Sequence, residues 1–382
     1  MFTLSQYLFS LEDPAGLFRT LDTLEPERDA DGRPCFTVGN TAVTFRVHIE
    51  GVSHALRCYF NPNPNLRRIY GEHYLERELY LYDNPPHGRW VDVVLTPWIE
   101  GEELGAVIRR AAEEQRKDLL AELSARFDRL AIELLKAPWA HGDLKPENIL
   151  VAPNGELHLI DHDATFLPEM RGELSPELGT LSYQHPARTA EDFDASIDDF
   201  SIALIASSLY ALSIDPTLYA RYGMRDGLLI DTRNLATDEA LEELLQLFAR
   251  RGEVVRYAIA RSLRRSRPAT QLVNELFRLL NHRTPIEEEE PIESFFTWYG
   301  LWGYRTTTQE VIPPLYDFAD DFREGVARVR IGSAWHYIDR TGQSLLHDPM
   351  WRDIESFRQG RARVTTDQGC YEIDLAGNRF EI

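Results

Sequence analysis

Lysine is almost absent from this chain of 382 residues. Of its 41 basic residues, three are lysine, namely Lys117, Lys136 and Lys145, and all the others are arginine. Arginine therefore fills most cationic positions, and an arginine in the usual place of a lysine is less unusual here than in an ordinary protein. For the same reason, a lysine that lies inside a motif carries more information about function.

Cysteine is also scarce, and basic residues are outnumbered by acidic ones. The three cysteines, Cys35, Cys58 and Cys370, lie far apart, which fits a reducing compartment better than a disulfide framework. A formal net charge of −21 repels phosphate backbones and argues against nucleic-acid binding. The longest apolar run, residues 200–214, is too short to span a bilayer, and the N-terminus lacks the basic start of a signal peptide. We therefore expect a cytoplasmic protein that binds neither nucleic acid nor membranes.

The residue pattern changes along the chain and predicts separate units. Residues 1–101 are dominated by β-type runs, which one helical stretch, about 66–75, interrupts. Residues 102–283 show amphipathic helical periodicity. An acidic, proline-flanked stretch at 284–297 is typical of a linker, and short alternating strands fill residues 298–382.

Individual elements can be predicted within these regions. The predicted strands of the first region are Phe36–Val38, Ala42–Ile49, His54–Phe60, Glu78–Tyr82 and residues 90–99. In the second region Leu104–Leu135 has long amphipathic runs typical of helices, and Ser196–Leu212 and Asp238–Arg250 continue this pattern. The apolar run at 200–214 reads as a buried helix.

The last region repeats itself. Phe322–Val329 matches Phe357–Val364 at an offset of about 35 residues, and Tyr337–Gly342 matches Tyr371–Gly377 at nearly the same offset. Trp302-Gly-Tyr begins a preceding, degenerate copy. Short strands joined by Asp-x-x-Gly turns predict hairpins. The pattern resembles the WG β-repeat family, which implies an appended module that binds a protein substrate or partner.

The most informative motif of the chain is His141–Asn148, which reads His-Gly-Asp-Leu-Lys-Pro-Glu-Asn. It resembles the catalytic loop of the Ser/Thr protein-kinase superfamily, in a bacterial-type form, and the resemblance extends over about residues 35–280. In that family the loop implies that Asp143 meets the acceptor hydroxyl, that Lys145 reaches the γ-phosphate and that Asn148 holds a metal ion on the phosphates.

Further segments match the family in the same order. Leu157–Ala164 resembles the strand that ends in the metal-binding Asp-Phe-Gly, which implies that Asp161 binds Mg²⁺. Asp163 then either assists Asp161 or serves only as a turn residue. The other matching segments are Gly179–Pro186 at the end of an activation segment, Ser196–Ser201, whose Asp198 would hold the catalytic loop, and Arg267–Ala269 near the end of the C-lobe.

The nucleotide-binding part of the resemblance is looser. Gly39 stands where a glycine-rich loop is expected, and it is the single glycine left there. Residues 95–101 resemble the hinge that contacts adenine, which implies cofactor contacts from Thr96 and Trp98. The implied cofactors are ATP and Mg²⁺.

Arg57 takes the place of the lysine that pairs with the α- and β-phosphates in the family. Its expected partner is Glu72, or failing that Glu76, on the predicted helix. Taken alone, Arg57 is equally well a surface or ion-pair arginine, and Glu72 a solvated helix charge.

The resemblance implies an α+β chain: a bilobal protein-kinase-like fold, with a β-rich N-lobe and an α-helical C-lobe, plus a small C-terminal all-β repeat module. Three functions follow. The first is ATP- and Mg²⁺-dependent transfer to a protein Ser or Thr, which the joint presence of Asp143, Lys145, Asn148 and Asp161 favours. The second is a pseudokinase scaffold, which Arg57 favours. The third is a small-molecule kinase, because His-Gly-Asp resembles the loop of aminoglycoside and choline kinases.

Overall fold

The computed structural model describes residues 2–84, 87–223, 228–264, 291–297, 300–307 and 309–381. The fold is of the α+β class and ends in an all-β region. The chain divides into two compact units, Met1–Glu102 with Ala152–Thr165, and Glu103–Val151 with Phe166–Ile382. The predicted Arg267–Ala269 motif and the linker as far as residue 290 lie outside the described residues.

The described helices are α1 (Leu4–Glu12), α2 (Leu66–Tyr70), α3 (Leu104–Glu113), α4 (Lys117–Lys136), α5 (Asp199–Ile214), α6 (Thr217–Tyr222), α7 (Glu239–Arg250) and α8 (Val254–Ser262). The strands up to residue 159 are β1 (Glu25–Pro26), β2 (Phe36–Val38), β3 (Ala42–Ile49), β4 (Val52–Tyr59), β5 (Tyr74–Asn84), β6 (His87–Pro97), β7 (Glu102–Glu103), β8 (Ile149–Val151) and β9 (Leu157–Leu159). Those of the C-terminal region are β10 (Glu293–Phe296), β11 (Trp302–Arg305), β12 (Glu310–Tyr316), β13 (Phe318–Ala319), β14 (Ala327–Ile331), β15 (Ala334–Ile338), β16 (Ser344–His347), β17 (Trp351–Ile354), β18 (Arg361–Thr366), β19 (Gly369–Asp374) and β20 (Arg379–Glu381).

The first unit is built on a 6-stranded antiparallel sheet in the order β1-β3-β4-β6-β5, with β2 paired to β3. Strands β2 and β3 have the bounds that the sequence predicts, since β-branched and aromatic residues alternate there. Alternate residues of β3, including Val43, Phe45 and Val47, are fully buried in the core. Helix α1 covers this core with Tyr7 and Leu11, and a capping box at its first turn holds its N-terminus.

The helix predicted over residues 66–75 is shorter than expected. Helix α2 ends at Tyr70, a single 3₁₀ turn follows at Gly71–His73, and β5 begins at Tyr74. Gly71 has a positive φ of 53°, which ends the helical path because few other residues adopt that region. Glu72 is therefore not in an α-helix, contrary to the prediction.

The second unit begins as a helical bundle around α5. This helix is buried along most of its length, as its apolar sequence predicts. The amphipathic runs predicted over 104–135 form two helices, and Gln115 between α3 and α4 takes a left-handed φ of 58°. A buried ion pair between Arg256 and Asp128 joins α8 to α4. None of the described helices combines the length and the apolar character that crossing a bilayer requires.

The C-terminal region consists of three small antiparallel sheets, β10-β11-β12, β13-β14-β15-β16 and β17-β18-β19-β20. Each of the first two has a buried tyrosine against a phenylalanine of the next turn, Tyr304 on Phe322 and Tyr337 on Phe357, with ring centroids 4.8 Å apart in both pairs. The sheets therefore repeat one packing arrangement, and the degenerate first copy takes part in it.

This region packs on the helices of its own unit. Arg261 of α8 binds the carboxylate of Asp317 at 2.7 Å and the carbonyl of Leu315 at 3.0 Å. Gly252, in the turn between α7 and α8, lies against His336 and Ser344, since a Cβ placed on it would be within 3.4 Å of both side chains. The repeats are thus part of a continuous packed unit with the helices.

Candidate functional site

The loop His141–Asn148 is anchored from beneath by Asp198, the residue just before α5. Its buried carboxylate accepts hydrogen bonds from the backbone amides of His141 and Gly142, the latter at 2.9 Å. Gly142 has a positive φ of 82°, which a glycine adopts without a steric penalty. The prediction that Asp198 holds this loop is confirmed.

Three of the predicted side chains meet on the loop. The Lys145 ammonium lies 3.1 Å from Oδ2 of Asp143. The Nδ2 amide of Asn148 donates to the Asp143 carbonyl at 2.8 Å and to its Oδ2 at 3.2 Å. A carboxylate, an ammonium and an amide are therefore held together by the 3₁₀ turn Pro146–Asn148 and its flanks. We call these three residues the loop cluster.

A fourth group joins the loop cluster from the segment that follows it. The backbone amide of Thr180 donates to Oδ1 of Asp143 at 2.5 Å, and its hydroxyl accepts from Lys145 Nζ at 2.8 Å. A hydroxyl-bearing side chain thus lies beside both the carboxylate and the ammonium. Sequence reasoning placed Thr180 in a motif but gave it no contact with the loop.

Asp161 follows β9 in the first unit and has an unusual backbone. Its φ of 64° and ψ of 60° lie in the left-handed region, where a residue with a Cβ is strained. Strained residues of this kind concentrate at functional sites, where the surrounding structure enforces them. The side chain is half-exposed, and its Oδ1 accepts a hydrogen bond from Arg57 at 2.5 Å.

Arg57 binds a second carboxylate, that of Asp163, at 2.7 Å. Asp163 is only 4% exposed, and its other oxygen accepts hydrogen bonds from the hydroxyls of Tyr59 at 2.9 Å and Tyr70 at 2.7 Å. Asp163 is therefore more than a turn residue, although it does lie in the 3₁₀ turn His162–Ala164. We call Arg57, Tyr59, Tyr70, Asp161 and Asp163 the arginine cluster.

The protonation states within the arginine cluster follow from burial and charge. Burial and then the Asp163 carboxylate raise the pKa of Tyr70, so that its hydroxyl stays protonated and donates. Burial lowers the pKa of Arg57, but the carboxylates of Asp161 and Asp163 raise it, and the net direction is upward. The cluster therefore holds a cation between two carboxylates, one of which also accepts hydrogen bonds from two tyrosine hydroxyls.

The prediction that Arg57 pairs with Glu72 or Glu76 is wrong. Glu72 is exposed in the 3₁₀ turn Gly71–His73, and Glu76 lies 3.3 Å from the guanidinium of Arg67. Because α2 ends at Tyr70, the turn that would carry a glutamate toward Arg57 is replaced by strand β5. The structure gives Arg57 its carboxylates from Asp161 and Asp163 instead.

The remaining predicted cofactor contacts lie elsewhere in the sheet of the first unit. Gly39 is exposed in the turn between β2 and β3, where its amide donates to the Ala42 carbonyl at 2.8 Å. Thr96 pairs with Ala55 in the register of β6 and β4. The Trp98 ring has the Arg46 guanidinium 4.9 Å from its centroid, and its indole nitrogen is buried without a hydrogen-bond partner among the described residues.

Tyr59 and Tyr70 are the functional candidates that sequence reasoning missed. Tyr59 could have been found, because residues two apart in a strand lie on the same face, and Tyr59 stands two residues after Arg57 in β4. Tyr70 has no comparable signal, since only the folded chain brings the end of α2 to Asp163.

The side-chain oxygens of the predicted site can be compared with the ligands that Mg²⁺ requires. The described residues contain no group of three or more His, Cys, Asp or Glu side chains that could hold a metal ion. Mg²⁺ bound with a nucleotide needs just one or two protein oxygens, because phosphates and water supply the others. Asn148 uses its nitrogen to bind Asp143, which leaves its side-chain oxygen as a ligand of the required type.

Comparison with known families bears on the C-terminal region. A sequence model of the WG containing repeat matches residues 306–335, which run from the end of β11 to the start of β15. No curated protein matches the chain. The C-terminal all-β region therefore contains a WG repeat, as the internal sequence repeats predicted.

Proposed function

We propose that the chain is an ATP- and Mg²⁺-dependent phosphotransferase of the protein-kinase-like type, acting on Ser or Thr hydroxyls of a protein. Residues 1–283 would then form the bilobal fold that the motifs imply. The observation that carries the proposal is the loop cluster, in which Asp143, Lys145 and Asn148 meet beside Thr180.

The loop cluster supports phosphoryl transfer through its chemistry. A carboxylate within hydrogen-bond reach of an acceptor hydroxyl takes up its proton as the phosphorus–oxygen bond forms. Asp143 is the carboxylate of the cluster, and the contact of Lys145 with the Thr180 hydroxyl indicates that a hydroxyl side chain fits beside both groups. The ammonium of Lys145 would offset the negative charge of the transferred group.

The resemblance assigns Mg²⁺ ligands to Asn148 and Asp161, each of which offers a side-chain oxygen of the type that Mg²⁺ prefers, and the phosphates would supply further ligands. Bound there, the ion would neutralise charge on the β- and γ-phosphates. The left-handed backbone of Asp161 supports a functional role for this residue, because such conformations concentrate at functional sites.

The proposed acceptor is a protein, recruited by the C-terminal repeats. The support for a protein rather than a small alcohol is the contact of the Gly179–Pro186 segment with the loop cluster through Thr180. A segment in this position shapes the surface on which an acceptor chain would lie, whereas a small molecule needs no such platform.

A scaffold without catalysis is the competing function, and one observation favours it. Asp161 accepts a hydrogen bond from Arg57 at 2.5 Å, so one of its oxygens is already in use. In that case the chain would bind nucleotide, or a partner through its repeats, without transferring phosphate.

The test is phosphoryl transfer by the full chain. We expect the wild type, supplied with Mg²⁺ and γ-labelled ATP, to label itself or a generic protein acceptor. Asp143→Asn should lower the rate about a hundredfold or more, because the acceptor loses its general base. Asp118→Asn, at an exposed ion pair on α4, is the control that should leave transfer unchanged.

Labelling and thermal unfolding together distinguish the possible results. Labelling that is equal in wild type and Asp143→Asn would contradict the assigned base. Absence of labelling, together with a melting temperature that Mg²⁺-ATP raises, would establish the scaffold that binds nucleotide. Neither labelling nor stabilisation would reject the proposed function.

A further inference from the structure

The Arg57 guanidinium is held by one of its nitrogens. Both carboxylate contacts, to Asp161 at 2.5 Å and to Asp163 at 2.7 Å, are made by Nη2. Among the described residues Nη1 makes no hydrogen bond, and Nε is buried without a partner. The guanidinium is planar, so two contacts at Nη2 fix the direction in which Nη1 points.

The Asp163 carboxylate that binds Arg57 is buried, and both of its oxygens are hydrogen-bonded. Asp163 is 4% exposed, and burying a carboxylate is costly unless its oxygens are paired. One oxygen receives Arg57, and the other receives the hydroxyls of Tyr59 and Tyr70. Tyr59 shares the strand face of Arg57, and its ring centroid lies 5.7 Å from the guanidinium carbon. Such a carboxylate has little freedom to move.

We propose that Asp163 is a positioning residue for Arg57, and that Tyr59 and Tyr70 hold Asp163 in place so that Nη1 of Arg57 is presented to a nucleotide phosphate. This inference rests on the proposed function, since it assigns the ligand of Arg57 to a nucleoside triphosphate. Asp163 supplies the orienting carboxylate that the exposed Glu72 does not.

A buried orienting carboxylate allows an arginine to occupy position 57, where the resembled family has a lysine. The guanidinium of arginine is planar and its donors point in fixed directions, so it must be oriented before it can bind a phosphate. The ammonium of lysine is a compact charge that rotates freely. The second carboxylate, that of Asp163 in the 3₁₀ turn His162–Ala164, binds the same guanidinium nitrogen as Asp161. The arginine and its buried acid thus form one unit of recognition for a phosphate.

The test uses two measurements on the full chain. The first is the NMR signal of the Arg57 guanidinium, which is identified by its loss in Arg57→Lys. Rotation of its Nη groups is slow when Nη2 is held by hydrogen bonds. The second is the dissociation constant for Mg²⁺-ATP, with the Michaelis constant for ATP and kcat wherever transfer is observed. The variants are Asp163→Asn, Tyr70→Phe and Tyr59→Phe.

Tyr74→Phe is the matched control, because the Tyr74 hydroxyl donates to a carboxylate of the same sheet, Asp92, at 2.5 Å and has no contact with Arg57. We expect faster Nη rotation in Asp163→Asn and Tyr70→Phe but not in Tyr74→Phe. We expect the dissociation constant for Mg²⁺-ATP to rise about tenfold in Asp163→Asn and severalfold in Tyr70→Phe, with kcat changed less than the Michaelis constant.

The outcomes are distinct. Unchanged Nη rotation in both Asp163→Asn and Tyr70→Phe overturns the positioning role, whatever the nucleotide result. Faster rotation with an affinity equal to that of Tyr74→Phe overturns the link to phosphate. If the wild type binds no nucleotide, the proposed function fails and the assigned ligand fails with it, while the rotation measurement still decides whether Asp163 orients Arg57. If Asp163→Asn does not fold, Tyr70→Phe, which loses a single hydroxyl, decides the result.

Discussion

Two adjacent carboxylates at the start of α5 have opposite surroundings. Asp198 accepts hydrogen bonds from two backbone amides of the His141–Asn148 loop, whereas Oδ2 of Asp199 is buried without a hydrogen-bond partner among the described residues. Burial first, and then the charges of Asp198 and Asp194, raise the pKa of Asp199 to about 8. Burial raises the pKa of the Asp198 carboxyl as well, and the Asp199 carboxyl beside it is neutral at pH 7.

We predict that Asp199→Asn flattens the pH dependence of stability between about pH 4 and 8. In the wild type the unfolded chain loses the Asp199 proton near its ordinary pKa, whereas the folded chain keeps it until about 8, so stability falls as the pH rises through this window. The slope amounts to at most about 1.4 kcal/mol per pH unit. Melting temperatures of both proteins at pH 5, 6, 7 and 8 check it. Parallel curves would contradict the raised pKa.

At the scale of the element, the segment Gly179–Pro186 depends on its first residue. Gly179 has a φ of 68°, and a Cβ on it would lie 2.7 Å from the Gly142 carbonyl and 2.9 Å from Oδ1 of Asp143. The Gly142 backbone cannot yield easily, because Asp198 binds its amide. The loop cluster and the segment that carries Thr180 are thus packed without space for a methyl group.

We predict that Gly179→Ala destabilises the fold and lowers phosphoryl transfer at least about tenfold, because it moves Thr180 away from Asp143. Gly172→Ala is the control for backbone strain alone, since Gly172 has a comparable φ of 89° and open space around its Cβ position. Each should lose about 1–2 kcal/mol through the left-handed conformation, and Gly179→Ala more through crowding. Chemical unfolding of both variants measures the difference. Equal losses would mean that the segment can move freely.

At the scale of the molecule, the repeats and the helices of the second unit share an interface with a buried histidine. His336 is fully buried, with its ring 5.4 Å from that of His347 and its Nδ1 facing Gly252. Burial and then the nearby His347 lower the pKa of His336 to about 4. Together with Arg261 and Asp317, this residue sits where β strands meet the turn between α7 and α8.

We predict that His336→Leu makes the chain more resistant to acid. The unfolded chain takes up a proton at His336 below its ordinary pKa near 6.5, whereas the folded chain does not until about 4, so wild-type stability falls as the pH falls through that window. Urea unfolding at pH 7 and at pH 4.5, followed by tryptophan fluorescence, should show a smaller loss in the variant. His158→Gln, at a half-buried histidine of the first unit, should behave like the wild type. An equal loss in His336→Leu would contradict a buried neutral His336.

Local patterns were sufficient for most elements. Alternation predicted β2 and β3 to the residue, and the apolar run at 200–214 predicted the buried α5. Internal repeats predicted the C-terminal hairpins, since each copy carries its own turn residues. The error fell where a backbone of positive φ ends a helical run, at Gly71 after α2.

By itself the sequence determined the α+β class, the WG repeat and the grouping of Asp143, Lys145 and Asn148, because these residues are close along the chain and one turn brings them together. The partners of Arg57 were decided by tertiary structure. Asp163 lies more than a hundred residues from Arg57, and its two tyrosine donors come from β4 and α2. Spacing in sequence cannot rank distant carboxylates, whereas burial can, because a carboxylate enclosed with a guanidinium and two hydroxyls must pair with them or lose stability.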